Sequence, residues 1–221
     1  MKHNEFLTAC IWDLDGTLLD SYGAIVAGAA QTSAGAGLRD TEDQVLKAVK
    51  QGSVGSYLQD VCLRTGVPVT QLKERYRAYA HALDDRITLV DGAEETLRKL
   101  ALSGTAHFVY THRGSTSEPI LKRLGILEYF REVVTSEYGF PPKPSGEGVR
   151  YLVQKYGLPP NETWYVGDRT LDVYCAKDAG VRALLFLAPG TCVLPTGQED
   201  WVIRGLREIP DRCGHLAAQN T

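Results

Sequence analysis

Three features of the sequence predict an α/β fold: a parallel sheet flanked by helices and interrupted by a separate all-helical insert. Apolar runs of strand length alternate with helical patterns over most of the chain, which is how a parallel sheet reads. The first two convincing strands are separated by almost a hundred residues that carry only helical patterns. The length of 221 residues exceeds what one small domain needs, since roughly 100–200 residues per domain are usual, so there is chain to spare for an insert.

The elements follow in order. Residues 6–12, Phe-Leu-Thr-Ala-Cys-Ile-Trp, read as a buried first strand. Four helical patterns follow: one from Ser21, one after Asp40-Thr41 with Val45, Leu46 and Val49 on one stripe, one after Ser53 with Tyr57, Leu58 and Val61, and one after Thr70 with Leu72, Tyr76, Tyr79 and Leu83. After Asp91-Gly92, a helix over 93–102 leads into a strand over 106–110, and a helix over 115–124 ends at Gly125. Glu132-Val133-Val134 reads as a short strand, and Ser145 opens a helix running to Tyr156 that Gly157 closes. Gly146 and Gly148 weaken the start of that helix. A strand over 163–166, a helix over 171–179 ending at Gly180, a strand over 181–187 and a short strand over 201–203 complete the pattern. The strand-bearing core is therefore assembled from both ends of the chain, 1–18 and 88–221, with 19–87 as the helical insert.

Composition narrows the function classes. Lys and Arg total 24 against 27 Asp and Glu, a formal net charge of −3, which argues against a nucleic-acid or anionic-membrane binder. Hydrophobic residues at 43% and charged residues at 23% are enough for a proper core, so disorder is excluded. Cys10, Cys62, Cys175, Cys192 and Cys213 are odd in number, scattered, and without zinc-ligand spacing, so they read as reduced and mostly buried thiols. The opening MKHNEFLTACIWDLDG reads as neither a secretory signal nor a spanning segment, and a cytoplasmic location is the default expectation.

Chemistry concentrates where strands end. Asp13-Leu14-Asp15-Gly16-Thr17 leaves the first strand, and the carboxyl ends of parallel strands are where open α/β sheets bind ligands. Two carboxylates that close repel unless they share a proton or a cation, and a hard divalent ion with oxygen ligands, Mg²⁺ above all, suits them. Asp15-Gly16 is equally a turn signal with Asp13 capping it. A second acidic pair, Asp168 and Asp172, lies four residues apart in Gly167-Asp168-Arg169-Thr170-Leu171-Asp172 after another buried strand. Asp172 also suits a helix N-terminal turn, whereas Asp168 at a strand end is harder to explain structurally. If the two strands are neighbours, these carboxylates converge, and without a cation that is costly. Tyr110-Thr111-His112-Arg113-Gly114 leaves its strand with a hydroxyl and turn amides that form an anion cradle. Lys143, between Pro142 and Pro144, can neutralise a phosphate or hold a nucleophilic carboxylate in place, although a lone loop lysine is most often solvated.

Asp-x-Asp-Gly-Thr, a Thr at the next strand end, Lys-Pro, then Gly-Asp-x-x-x-Asp: this order resembles the haloacid dehalogenase superfamily of phosphohydrolases over nearly the whole chain. The subgroup it resembles is phosphoglycolate phosphatase-like, with a Rossmann-like three-layer core and a small helical cap after the first motif. The resemblance implies Asp13 as nucleophile, Asp15 as general acid and base, Thr111 as phosphate ligand and Lys143 as the phosphate-side charge. It implies Mg²⁺ held by Asp13, Asp168 and the Asp15 carbonyl oxygen, with Asp172 acting behind them. Thr111-His112 departs from the Thr-Asn or Ser-Asn pair of many relatives; His112 either meets substrate or packs.

The implied reaction is hydrolysis of a small phosphate monoester, of phosphoglycolate or sugar-phosphate type, through an aspartyl phosphate. Thr17 leans toward hydrolysis over the phosphosugar mutase alternative, in which the phosphoryl group returns to substrate. A non-catalytic phosphocompound-binding regulator is the reading from another class, and the intact motif residues count against it. The insert would select the substrate, and its loop over 50–56 supplies Lys50 and Ser53 as candidate contacts, with Ser53 also a plain helix N-cap. A small phosphorylated metabolite is the expected partner, with no nucleic acid or membrane, for a monomer or homodimer.

Overall fold

The computed structural model describes residues 7–212. In chain order the strands are β1 (Ala9–Trp12), β2 (Leu19–Asp20), β3 (Thr88–Leu89), β4 (Ala106–Tyr110), β5 (Phe130–Val134), β6 (Thr163–Gly167), β7 (Arg182–Phe186) and β8 (Trp201–Ile203). The helices are α1 (Tyr22–Gly35), α2 (Glu42–Gln51), α3 (Val54–Thr65), α4 (Val69–His81), α5 (Ala93–Leu102), α6 (Ser117–Arg123), α7 (Glu147–Tyr156), α8 (Thr170–Ala179) and α9 (Glu208–Arg212). The chain divides into two compact units, Met1–Leu19 with Leu89–Thr221, and Asp20–Thr88.

The first unit is the α/β fold read from the sequence. Its six-stranded sheet runs β5-β4-β1-β6-β7-β8, with every neighbouring pair parallel. Central β1 is fully buried, as a parallel strand covered on both faces should be. On one face, Ala9, Ile11, Phe108, Tyr110 and Tyr165 share a core cluster with Val149 and Leu152 of α7 and Val173 and Ala176 of α8. Leu97 and Leu100 of α5, also buried, lie outside that cluster while α5 packs on β4.

The two glycines that weaken the start of α7 have a packing reason. A methyl on Gly148 would overlap the Tyr110 ring, and one on Gly146 would stand 2.6 Å from the Ala179 amide nitrogen. Helix propensity is given up so that α7 can sit tight against β4 and α8.

The second unit is all-helical. Val45, Val49, Tyr57, Leu58, Val61 and Leu72 form its core with Ile25, Val26 and Ala29 of α1. Capping boxes at Thr41 with Gln44 and at Ser53 with Ser56 start α2 and α3, and left-handed Gly66 closes α3.

Several boundaries differ from the sequence expectation. The strand over 6–12 is regular from Ala9, and Phe6 lies outside the described residues. Helix α4 starts at Val69 because Pro68, with φ −55°, is already set for a helix entry. Strands β2 and β3, two residues each and paired with one another, are too short to show any periodicity. Helix α9 carries Pro210, which reads as a breaker but is tolerated in a first turn. Among the described residues no disulfide forms, but only Cys10 and Cys175 are buried; Cys62 is half-buried, Cys192 is exposed on the irregular chain after β7, and Cys213 lies outside the described residues. Among the described residues no helix is long and apolar enough to cross a membrane.

Candidate active site

The central strands β4, β1 and β6 are adjacent and parallel, so the residues that follow each of them meet at one sheet edge. Thr111 follows β4, Asp13 follows β1 and Asp168 follows β6. The ladder continues one step past the strands: the Asp13 N–H donates to Val166 O at 2.9 Å, and the Thr111 N–H to Val134 O at 3.0 Å. Asp13, Asp168 and Asp172, all buried, place carboxylate oxygens within 4.8 Å of one another. Asp15 sits in a tight turn where Gly16 has φ +84°, a conformation that favours glycine. The Gly16 N–H donates to Leu19 O at 2.8 Å, and the Thr17 and Leu18 amides donate to Leu14 O.

Lys143 is the opposite of a solvated loop lysine. Its side chain is wholly buried, and Nζ donates to Asp13 Oδ1 at 2.8 Å, Asp172 Oδ1 at 2.6 Å and the Tyr165 hydroxyl at 2.9 Å. Those three bonds use all the donors an ammonium has. Tyr165 in turn donates to Tyr110 O at 2.9 Å, and the Arg169 N–H donates to Asp172 Oδ2 at 3.0 Å. Both Asp172 oxygens are therefore engaged in positioning contacts. Gly167 leaves the room this needs, since a Cβ there would lie 2.5 Å from Asp172 Oδ2.

Electrostatics follow from burial and pairing. Burial pushes the Asp13 carboxyl above the usual range, against the pull of Lys143. Asp172 is also desolvated, but the Lys143 and Arg169 charges hold it below that range. Burial would lower the Lys143 ammonium, yet the charges of Asp13 and Asp172 raise it above the ordinary lysine value.

The convergence of carboxylates read from the sequence is real, but the chain brings cations of its own. Besides Lys143, Arg113 pairs with Asp15, Nη2 to Oδ1 at 2.7 Å, and buried Arg169 places Nε 3.9 Å from Asp168 Oδ1. An external ion is thus not required merely to offset the acids. What fits a metal is the donor set. Asp13 Oδ2 is buried and accepts no hydrogen bond among the described residues, and it shares the cluster with buried Asp168. Hard carboxylate oxygens in small number suit a Mg²⁺-like ion that keeps other positions for water or substrate. The Asp15 carboxylate, turned to Arg113, is not in that set.

Thr111 and His112 are likewise placed. The Thr111 hydroxyl oxygen accepts the Arg113 N–H at 3.1 Å, which leaves its own proton to donate. His112 Nε2 accepts the Lys143 main-chain N–H at 2.7 Å. Burial, then the Lys143 and Arg169 charges, push its imidazole down to about 3, so it is neutral. Lys50 and Ser53 belong to the helical unit. The Lys50 ammonium lies 4.2 Å over the Tyr22 ring, and the Ser53 hydroxyl accepts the Ser56 N–H at 3.0 Å as the N-cap of α3. Sequence reasoning gave no role to Arg113, Tyr165 or Arg169. The departure from the usual Thr-Asn pair lies at His112 and does not point to Arg113, so none of the three carried a signal of its own.

Comparison with known proteins identifies the family. A family model described as haloacid dehalogenase-like hydrolase matches residues 10–186. The chain is 28% identical over 212 residues to pyrophosphatase PpaX of Bacillus velezensis, covering 92% of this chain and 94% of that protein. It is 30% identical over 181 residues to phosphoglycolate phosphatase of Vibrio vulnificus, covering 76% and 78%. Among solved structures, a HAD-superfamily hydrolase of subfamily IA, variant 1, from Geobacter sulfurreducens superposes with a TM-score of 0.72 at 25% identity, covering 97% of this chain and 100% of that one. The resemblance carried by the four motifs is borne out, and the chain belongs to the haloacid dehalogenase-like hydrolase family.

Proposed function

We propose that the protein is a Mg²⁺-dependent phosphatase that hydrolyses a small phosphate monoester through an aspartyl phosphate on Asp13. The observation that carries this reading is the asymmetry of the Asp13 carboxylate: Oδ1 is held by Lys143 while buried Oδ2 accepts no hydrogen bond among the described residues. One oxygen is fixed and the other is left to act. Lys143, with every donor engaged, aims Asp13 and supplies positive field without having to grip the phosphate itself. The Thr111 proton is available to an equatorial phosphoryl oxygen. When bound, the metal would be held by Asp13 and Asp168, with the Asp15 carbonyl oxygen as the resemblance implies, and would offset phosphoryl charge as a Lewis acid. Asp15 would move the proton, to the leaving alcohol and then from the attacking water, a contribution of ~10²–10⁴-fold.

The helical unit, in this reading, selects the substrate, with Lys50 and Ser53 as candidates for that contact. The Vibrio relative favours phosphoglycolate or a similar small ester, while the Bacillus relative adds pyrophosphate as the second class to test. Purified protein should release phosphate from 2-phosphoglycolate, sugar phosphates, pyrophosphate or p-nitrophenyl phosphate with Mg²⁺ and not with EDTA, and Asp13→Asn should abolish release. Undiminished activity of that variant would overturn the mechanism, and an isomerised phosphosugar in place of free phosphate would mark a mutase.

A further inference from the structure

The loop after β4 carries one charged side chain that the reaction sketched above does not use. Arg113 is nearly buried, with 11% side-chain exposure, and faces Asp15, whose side chain is 20% exposed. It grips Asp15 with two nitrogens: Nη2 to Oδ1 at 2.7 Å, and Nε to Oδ1 and Oδ2 at 3.1 and 3.3 Å. The arginine is itself held from behind. Its Nη1 donates to Thr116 Oγ1 at 3.2 Å, its main-chain N–H donates to Thr111 Oγ1, and its carbonyl accepts the Ser136 N–H at 3.2 Å. All three guanidinium nitrogens therefore have protein partners, the geometry of a clamp more than of a surface arginine waiting for a ligand.

We infer that Arg113 is a positioning residue that fixes the Asp15 carboxylate for proton transfer. The backbone at Asp15 is set by the Gly16 turn, but a short acidic side chain at a partly exposed position still samples more than one rotamer. Asp13, two residues away in the chain and of the same charge, would also drive it outward. A planar fork against a carboxylate restrains both position and tilt, which a point charge does not. The neighbouring residue does comparable work for the other arm of the site, because His112 holds the Lys143 main chain. The residues at 112 and 113 thus each secure a different catalytic group from one loop.

The inference rests on the reading of Asp15 as the group that moves the proton, and a double-mutant cycle separates the two. Steady-state kinetics with Mg²⁺ and 2-phosphoglycolate or p-nitrophenyl phosphate would be measured for wild type, Arg113→Ala, Arg113→Lys, Asp15→Asn and the Arg113→Ala/Asp15→Asn double variant, with thermal melts to confirm folding. Arg113→Ala should lower kcat about ten- to a hundredfold with KM within about threefold, Arg113→Lys should recover part of that loss, and Arg113→Ala should add less than about threefold to the loss in Asp15→Asn. An unchanged kcat, a loss confined to KM, or the same fold-loss with and without the Asp15 carboxylate would overturn the clamp. Full activity in Asp15→Asn, or no phosphate release by the wild type, would instead overturn the reading beneath it.

Discussion

Replacing Lys143 by Met tests the buried charge cluster through stability rather than turnover. The substitution keeps much of the side-chain volume and removes an ammonium that touches both Asp13, at 2.8 Å, and Asp172, at 2.6 Å. All three side chains are at most 2% exposed, so solvent cannot compensate. Removing one partner of a buried pair costs about 3–5 kcal/mol because the remaining charge stays desolvated. The cost has a pH signature. Asp13 is already raised above the ordinary 3.8 by burial and rises further without Lys143, while Asp172, held low by Lys143 and Arg169, loses the first of those pulls and is left to its burial. Between the ordinary value and the raised one, the folded variant binds more protons than its unfolded chain, so its stability increases as pH falls. The deficit against wild type should be largest near pH 8 and narrow by up to about 1.4 kcal/mol per pH unit and group toward pH 5. Urea unfolding in EDTA, followed by tryptophan fluorescence, reads this out for one unit, because Trp12, Trp164 and Trp201 all lie in the strand-bearing one. A deficit below about 1 kcal/mol at pH 8, or one that grows on acidification, would refute the reasoning.

Three further expectations follow from the same structure. His107, buried with Nδ1 accepting the Trp12 indole N–H at 3.1 Å, is pushed by burial down to about 4 from 6.5. The unfolded chain takes up its proton first, so about 3 kcal/mol of stability should be lost between pH 6.5 and 4, and His107→Gln should flatten that acid limb in denaturation curves. Gly167→Ala forces a methyl into Asp172 and should displace it from Lys143, lowering kcat at least tenfold together with the melting temperature. A melting temperature equal to wild type would contradict that contact. Mg²⁺ at a hundredfold excess over its dissociation constant should stabilise the wild type by about 2.7 kcal/mol, and Asp168→Asn should abolish the shift in a thermal melt. An unchanged shift would remove Asp168 from the metal set.

The sites were legible where topology does the assembling. Asp13, Thr111 and Asp168 each follow an apolar run, and once the runs are parallel neighbours their carboxyl ends share an edge, so reading the strands was enough to bring the residues together. What was not legible depended on side-chain pairing across long stretches of chain. Arg113 reaches a carboxylate 98 residues away, and nothing in a Thr-His-Arg-Gly loop says where its guanidinium points. Tyr165 sits in a strand that reads as pure core, and only the fold shows its hydroxyl meeting Lys143. Gly146 and Gly148 read as weak helix starters because propensity is local, whereas their purpose is the approach of α7 to Tyr110 and Ala179. The short strands β2 and β3 carry no period to detect.

Trapping the covalent state decides whether Asp13 attacks phosphorus. Turnover of 2-phosphoglycolate or p-nitrophenyl phosphate with Mg²⁺ would be quenched in acid, the protein reduced with borohydride, and the peptide bearing position 13 examined by mass spectrometry. Reduction of an aspartyl phosphate leaves homoserine, so homoserine should appear at position 13 during turnover and be missing in Asp13→Asn and in EDTA. Product formation at the full rate with an unmodified Asp13, or homoserine at Asp15, Asp168 or Asp172 in its place, would contradict the mechanism.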